Sequence, residues 1–331
     1  MWHRFRNLVT AFALFLAAGE GAARDLNVDA GFLTFKAGQS SDPQISVLAW
    51  YPSRAPESSI EHEGYRLSVA PDAPPAEGRF PLLVISHESF GSPLDHRELA
   101  ASLARHGFIV IAPTHLGDAL GETHSHDTDL VFIGRGWQVV AAMDAALANP
   151  RLGNSIDGGR MGFVGFGTGG YTGLLVAGGK PDFALWPLYC DKHMSDFSLC
   201  GGSAFPAIRI TRPGWRPPHD PRLKALVALA PLGLPFGQGS LDEVMIPVRL
   251  YEAKNDTVLL RGPNAAAILA ALPLPPEHEV IDGGHFIFVD FCSASPARLR
   301  RAWCRDADGV DRSAIHQQLE SEIRDFFERV L

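Results

Sequence analysis

The chain has 331 residues, enough for one large domain or two small ones, and its 46 % hydrophobic content supports an ordinary globular core. Its 33 glycines and 25 prolines are scattered among apolar runs, which describes a loop-rich chain and not a disordered one. The formal net charge is −8 with no basic block. This excludes the clustered Lys/Arg footprint that nucleic-acid phosphates require and suits solubility better than any specific partner.

The first residues read as an export signal. Arg4 and Arg6 precede an apolar run over 8–18, and Gly21, Ala22 and Ala23 offer a cleavage site before Arg24. That run is well short of the ~20 residues a bilayer needs, and no later segment is expected to reach that length. Residues 1–23 are therefore assigned to a signal peptide and 24–331 to a single domain in a secreted or periplasmic location. The four cysteines fall as two local pairs, Cys190 with Cys200 and Cys292 with Cys304. Neither pair has CxxC spacing or neighbouring histidines, so two structural disulfides are expected in place of a metal site.

Strands are expected over 26–36 and 45–51, where residues alternate or are β-branched. A Pro-, Glu- and Ser-rich loop is expected over 53–78. The run PLLVIS at 81–86 is apolar throughout, as a strand buried on both faces must be. A helix over about 95–105 with Leu99 and Leu103 on one side follows. Then come a strand at 108–112, a helix at 138–148 and a strand at 161–165. Small residues over 169–178 open a further helix. Strands at 223–230 and 248–253, a helix at 263–272 and a strand at 279–282 complete the repeat. In the last helix, 312–330, Ile315, Leu319, Ile323, Phe326, Phe327 and Val330 recur at three- and four-residue spacings. Strands followed by alternating βα units predict an α/β protein, with a mostly parallel sheet covered by helices on both faces. The segment 180–221, rich in Pro and Gly, reads as an insertion that could cap a site.

In such a sheet, chemistry sits just beyond the carboxyl ends of the strands. Three such ends stand out. Gly165-Phe166-Gly167-Thr168-Gly169-Gly170 has the spacing of a G-x-S-x-G nucleophile elbow between strand and helix. Asp256 follows the strand at 248–253, and His285 follows the strand at 279–282. Elbow, acid, histidine is the chain order of the α/β-hydrolase triad. Alone, Asp256 would be a surface-turn aspartate and His285 a loop histidine; their joint order and placement argue for a pair. The cluster His115, His124, His126, Asp127 and Asp129 lies in polar loop sequence without ligand spacing, so no metal is expected there.

Ser86-His87-Glu88-Ser89-Phe90-Gly91 resembles the S-H-G-x-G-G oxyanion loop of dienelactone-hydrolase-like proteins and platelet-activating-factor acetylhydrolases. His106-Gly107-Phe108-Ile109-Val110, then Ala112-Pro113, looks like the helix end and strand that follow it in that family. Gly284-His285-Phe286 with Cys292 and Cys304 is similar to the exported bacterial dienelactone-hydrolase-like branch. The resemblance runs from about Leu26 to the C-terminus. It implies an α/β-hydrolase fold and hydrolysis of a small-molecule ester or lactone by acyl transfer to water, without a cofactor. It further implies that His285 is general base and acid, that Asp256 orients it, and that the backbone N–H groups of Ser89 and Thr168 form the oxyanion hole.

Three residues depart from the family pattern. Gly167 stands where the family has its serine and offers no side-chain oxygen. Phe166 replaces the histidine before it, and Glu88 replaces the oxyanion-loop glycine. Together they read as relaxed or redirected selection. Glycine suits the strained elbow, and attack by Thr168, Ser89 or a Glu88-activated water ranks below loss of the acyl-enzyme route. Two functions follow: an ester hydrolase by descent, or a pseudoenzyme that binds without turnover. Gly167→Ser alone is expected to restore some esterase activity, and Glu88→Gly to raise it further.

Overall fold

The computed structural model describes residues 27–38, 44–121, 129–201, 211–212, 214–291 and 301–331. Segment 1–23, Cys292, His124, His126 and Asp127 lie outside them. The chain enters through strands β1 (Asp29–Ala37) and β2 (Ile45–Ser53), which pair antiparallel. A hairpin of β3 (Ser58–His62) and β4 (Tyr65–Pro71) follows. The βα repeat then runs through β5 (Phe80–Ser86), α1 (Arg97–Arg105), β6 (Ile109–Pro113), α2 (Leu130–Ala148), β7 (Ile156–Phe166) and α3 (Thr168–Val176). After α4 (Leu185–Cys190) come β8 (Leu223–Leu229), β9 (Val248–Ala253), α5 (Ala267–Ala271), β10 (Glu277–Ile281) and α6 (Arg312–Val330).

The sheet order is β10-β9-β8-β7-β5-β6-β2-β1-β4-β3, and every pair from β6 across to β10 is parallel. All seven residues of β5 are buried, so the apolar run at 81–86 is a central strand. Its side chains alternate between two cores. Leu82 and Val84 pack with α2 and α3, through Phe132, Val139, Met143 and Leu174. Leu83 and Ile85 pack on the other face with α1 and α6, through Leu103, Leu319, Ile323 and Phe327. The α/β-hydrolase expectation is met.

The structure corrects several boundaries. Residues 53–78 are not a loop throughout, because β3 and β4 lie within them. In β4, Tyr65, Leu67 and Val69 are buried while Arg66 and Ser68 are exposed. Glu63 and Gly64 turn the hairpin with φ of 49° and 80°, the two-residue geometry that matches strand twist. Helix α2 begins at Leu130 and not at 138, its early turns disguised by Gly134 and Gly136. At 19 residues it is long and apolar enough to cross a membrane by length and composition, contrary to the expectation for later segments. Here Phe132, Val139, Met143 and Ala146 bury its inner face in the domain core. The helix expected at 263–272 is a π-helical turn, Gly262–Ala266, running into α5.

Within the insertion, Phe183 and Trp186 are buried against Phe132 (ring centroids 5.8 and 5.6 Å). The Cys190–Cys200 disulfide is present, and Trp186 Nε1 donates to Leu199 O at 2.8 Å inside the closed loop. Among the described residues, the insertion reaches the acid loop where Ser198 Oγ donates to Thr257 O (3.4 Å). Cys304 is also disulfide-bonded.

Closing a loop of this length stabilises by about 2–4 kcal/mol. Cys190→Ser with Cys200→Ser should therefore lower the denaturant midpoint, and reductant should do the same to wild type. A midpoint indifferent to both would show that Trp186 packing alone holds the insertion.

Candidate active site

Strand β7 ends at Phe166, and α3 starts at Thr168, so one residue makes the turn between them. Gly167 does so at φ 55°, ψ −113°, a conformation that side chains resist. Its N–H donates to Leu229 O at 2.9 Å, and its carbonyl accepts from Gly170 N and Tyr171 N. The turn also needs Gly169, because a Cβ there would collide with Ser86 O.

A second loop, between β5 and α1, delivers Glu88 to this turn. A Cβ on Gly167 would overlap the Glu88 carboxylate at Oε2 and Cδ. Glu88 thus fills the space that a side chain at 167 would need. Its Oε1 accepts from Ser89 N at 2.6 Å and Thr168 N at 3.0 Å, the two N–H groups expected to form an oxyanion hole. Thr168 Oγ1 adds a third bond at 2.6 Å. The other oxygen, Oε2, faces His285 Nε2 at 3.1 Å.

Two more strand ends supply the rest. Asp256, after β9, turns Oδ2 to His285 Nδ1 at 2.7 Å, while its Oδ1 accepts from Val258 N and Leu259 N, both 2.8 Å. Asn255 N donates to Gly283 O (2.9 Å) and ties the acid loop to the histidine loop. The His285 ring packs on Phe166, centroids 4.8 Å apart. Gly167, Ser89, Thr168, Asp256 and His285 therefore converge on one buried spot. The hydroxyls of Ser89 and Thr168 bond each other at 2.9 Å, while Asp256 and Glu88 occupy the two ring nitrogens of His285. His115 and Asp129 are engaged apart from one another: His115 bonds Ser86 Oγ and Gln138 Oε1, and Asp129 accepts from Thr211 and Arg212.

Residues 67–187 match the model of the dienelactone hydrolase family, a span that includes both the Glu88 loop and the Gly167 turn. The ferulic acid esterase from Streptomyces cinnamoneus has a similar fold, with a TM-score of 0.61 at 18 % identity over 94 % of this chain and 92 % of that one. The fold is that of an α/β-hydrolase, and residues 67–187 are similar to dienelactone hydrolases. No curated protein matches it.

The Glu88 corner of this fold rests on a charged platform that sequence reading missed. Arg135 of α2 is fully buried and bonds Asp118, the Ser86 hydroxyl, the His87 carbonyl and the Thr172 hydroxyl. Asp118 in turn accepts from Ser89 Oγ at 3.2 Å, and its carbonyl accepts from Phe90 N at 2.9 Å. One arginine thereby fixes the loop that carries Glu88 and, through Thr172, the first turn of α3. The available signal was an arginine in the most apolar stretch of the helix, since buried charge needs partners. Arg312 acts similarly on the histidine loop, donating to Phe286 O (2.9 Å) and also to Val289 O.

Burial opposes charge on Glu88, but the His285 imidazolium and the Thr168 donors outweigh it and hold the carboxyl below its usual 4.5. Burial also opposes the His285 cation, yet the carboxylates of Asp256 and Glu88 lift it from 6.5 to about 9. Burial outweighs Arg135 at Asp118, and with the repulsion of Glu88 pushes that carboxyl up to about 6. At neutral pH the corner is thus an imidazolium between two carboxylates.

Stability should follow from these directions. The contribution of His285 is complete below its ordinary value of 6.5 and is lost as pH rises through about 9. That of Glu88 is complete above 4.5 and is lost as pH falls through its lowered folded value. The Tm should fall by several degrees between pH 6.5 and 9. Glu88→Gln should lower the Tm at pH 6.5 and flatten that decline. A wild-type Tm that is flat or rising over this window would contradict the ion pair.

Proposed function

We propose that this chain is an exported hydrolase in which serine-type acyl transfer is closed and the reacting oxygen has moved from position 167 to Glu88. The observation that carries this reading is the Glu88 carboxylate, with Oε2 in the vacated side-chain space beside His285 Nε2. Acyl transfer needs a nucleophilic oxygen at the elbow and an open oxyanion hole. Gly167 supplies no such oxygen, and Glu88 Oε1 takes the donors of the hole. Asp256 and His285 keep the geometry of an orienting acid and a base, which favours retained hydrolytic chemistry on a small neutral molecule.

The filled hole also favours a second reading, a binding protein without turnover. The two readings part on one variant: Glu88→Gln abolishes turnover in the first and has none to abolish in the second.

Fluorophosphonate probes, which label base-activated hydroxyls, should leave the wild type unmodified. An adduct on Ser89 or Thr168 would name a different nucleophile and sink the proposal. Gly167→Ser alone, which the sequence pattern favours, should gain no esterase activity because its side chain meets the Glu88 carboxylate. Gly167→Ser with Glu88→Gly clears both the space and the hole. Loss of a nucleophile costs about 10⁶ in kcat in a well-studied serine protease, so even partial repair should raise short-chain ester turnover by ~10²-fold or more. Turnover by the single variant equal to that of the double would show that Glu88 does not occupy the site in solution.

A further inference from the structure

The two oxygens of Glu88 are held differently, and the difference selects a reaction. In acyl transfer the substrate carbonyl oxygen must enter the oxyanion hole. Here Oε1 of the protein's own carboxylate is in it, bonded to Ser89 N, Thr168 N and Thr168 Oγ1. Such a site cannot stabilise an oxyanion on a bound ester. It can stabilise one on Glu88 itself. That need arises when Glu88 becomes an ester through attack of Oε2 on a saturated carbon; attack on an acyl carbon would itself need the hole that Oε1 fills.

We propose that Glu88 is an alkyl-accepting nucleophile and that the chain hydrolyses small primary alkyl electrophiles, with Ser89 and Thr168 N–H serving the hydrolysis of the alkyl-Glu88 ester. This rests on the reading of Glu88 as the reacting group and adds the substrate class.

The steps balance. An Oε2 electron pair forms the O–C bond as the bond from that carbon to the leaving group breaks, releasing halide or opening an epoxide to its alkoxide. The His285 imidazolium gives its Nε2 proton to that alkoxide, or to solvent when halide leaves. Esterification cancels the charge on Glu88 and removes one of the two carboxylates that hold the imidazole protonated, so neutral His285 becomes available as base. It takes a proton from water as the water oxygen bonds Glu88 Cδ. The negative charge develops on Oε1, already 2.6 Å from Ser89 N and 3.0 Å from Thr168 N. Collapse breaks the bond from Cδ to the alkyl oxygen and His285 returns its proton to the departing alkoxide; the Glu88 acid then gives the remaining water proton to His285 Nε2, so carboxylate and imidazolium both re-form. Asp256 holds His285 Nδ1 throughout and steadies the cation.

The surroundings agree with a small, unhindered substrate. The Glu88 side chain keeps 9 % of its exposure and His285 only 1 %, so the site is nearly closed and bulk water is kept from the imidazole. Phe166, packed on His285, gives the reaction an apolar wall. It stands where the resemblance leads one to expect a polar histidine.

The test uses the full mature protein with 1-bromopropane and, in parallel, 1,2-epoxybutane, in water enriched in ¹⁸O. In a single turnover the alcohol should leave unlabelled and the label should appear in the Glu88 carboxylate, read by mass spectrometry of the peptide that contains it. Label in the first-turnover product, with none in Glu88, would overturn the proposal. Glu88→Gln should cut bromide release by about 10³-fold or more, and His285→Gln should trap an alkyl ester on Glu88. The wild-type labelling result needs no variant to fold. If acyl esters, and neither alkyl probe, give Glu88-dependent turnover, the relocated-carboxylate reading stands and this inference falls. If no class of substrate does, both fall. Turnover of one alkyl probe alone supports the inference and identifies the leaving group.

Discussion

A carboxylate buried to 7 % exposure cannot persist uncompensated, and the site is organised around compensating Glu88. Its four close partners are Ser89 N, Thr168 N, Thr168 Oγ1 and His285 Nε2, about the full acceptor capacity of a carboxylate. Each partner comes from a different constraint. Ser89 is fixed by the loop that Asp118 and Arg135 hold. The Thr168 N–H points out of the α3 N-terminus, where helix dipoles favour negative charge. His285 is cationic because Asp256 stands behind it. Removing any one of them leaves buried charge poorly matched.

This constraint makes the three departures from the family pattern mutually dependent. Glu88 can occupy the corner only if residue 167 has no Cβ, and Gly167 leaves a void that Glu88 fills. Phe166 seats the imidazole face while the carboxylates take its edges. Decay would leave unpaired polar atoms at the old site. Instead, every side-chain oxygen and nitrogen of Glu88, His285 and Asp256 is bonded. Three changes that read in sequence as relaxed or redirected selection are, in the fold, one rearrangement.

Much of the architecture was legible because it depends on local pattern. The apolar run of β5, the amphipathic spacing of α6 and the order of elbow, acid and histidine each declare themselves within a few residues. The hairpin β3–β4 escaped because β3 is an exposed edge strand whose polar residues look like loop. The start of α2 escaped because two glycines interrupt it. The site's members were legible, whereas their partners were not. Glu88 meets Thr168 across 80 residues, and which oxygen enters the hole depends on side-chain geometry. Arg135 contacts two loops from a third element, so no short motif contains it.

The most direct measurement is the protonation state of His285 by ¹⁵N NMR of the imidazole, with the resonance assigned by its loss in His285→Gln. The account predicts both ring nitrogens protonated at pH 7.5, titrating near the raised value of about 9, with a clear downward shift in Glu88→Gln. A neutral imidazole at pH 7.5, unchanged by Glu88→Gln, would mean that Glu88 does not sit against His285, and the relocated carboxylate would have to be abandoned.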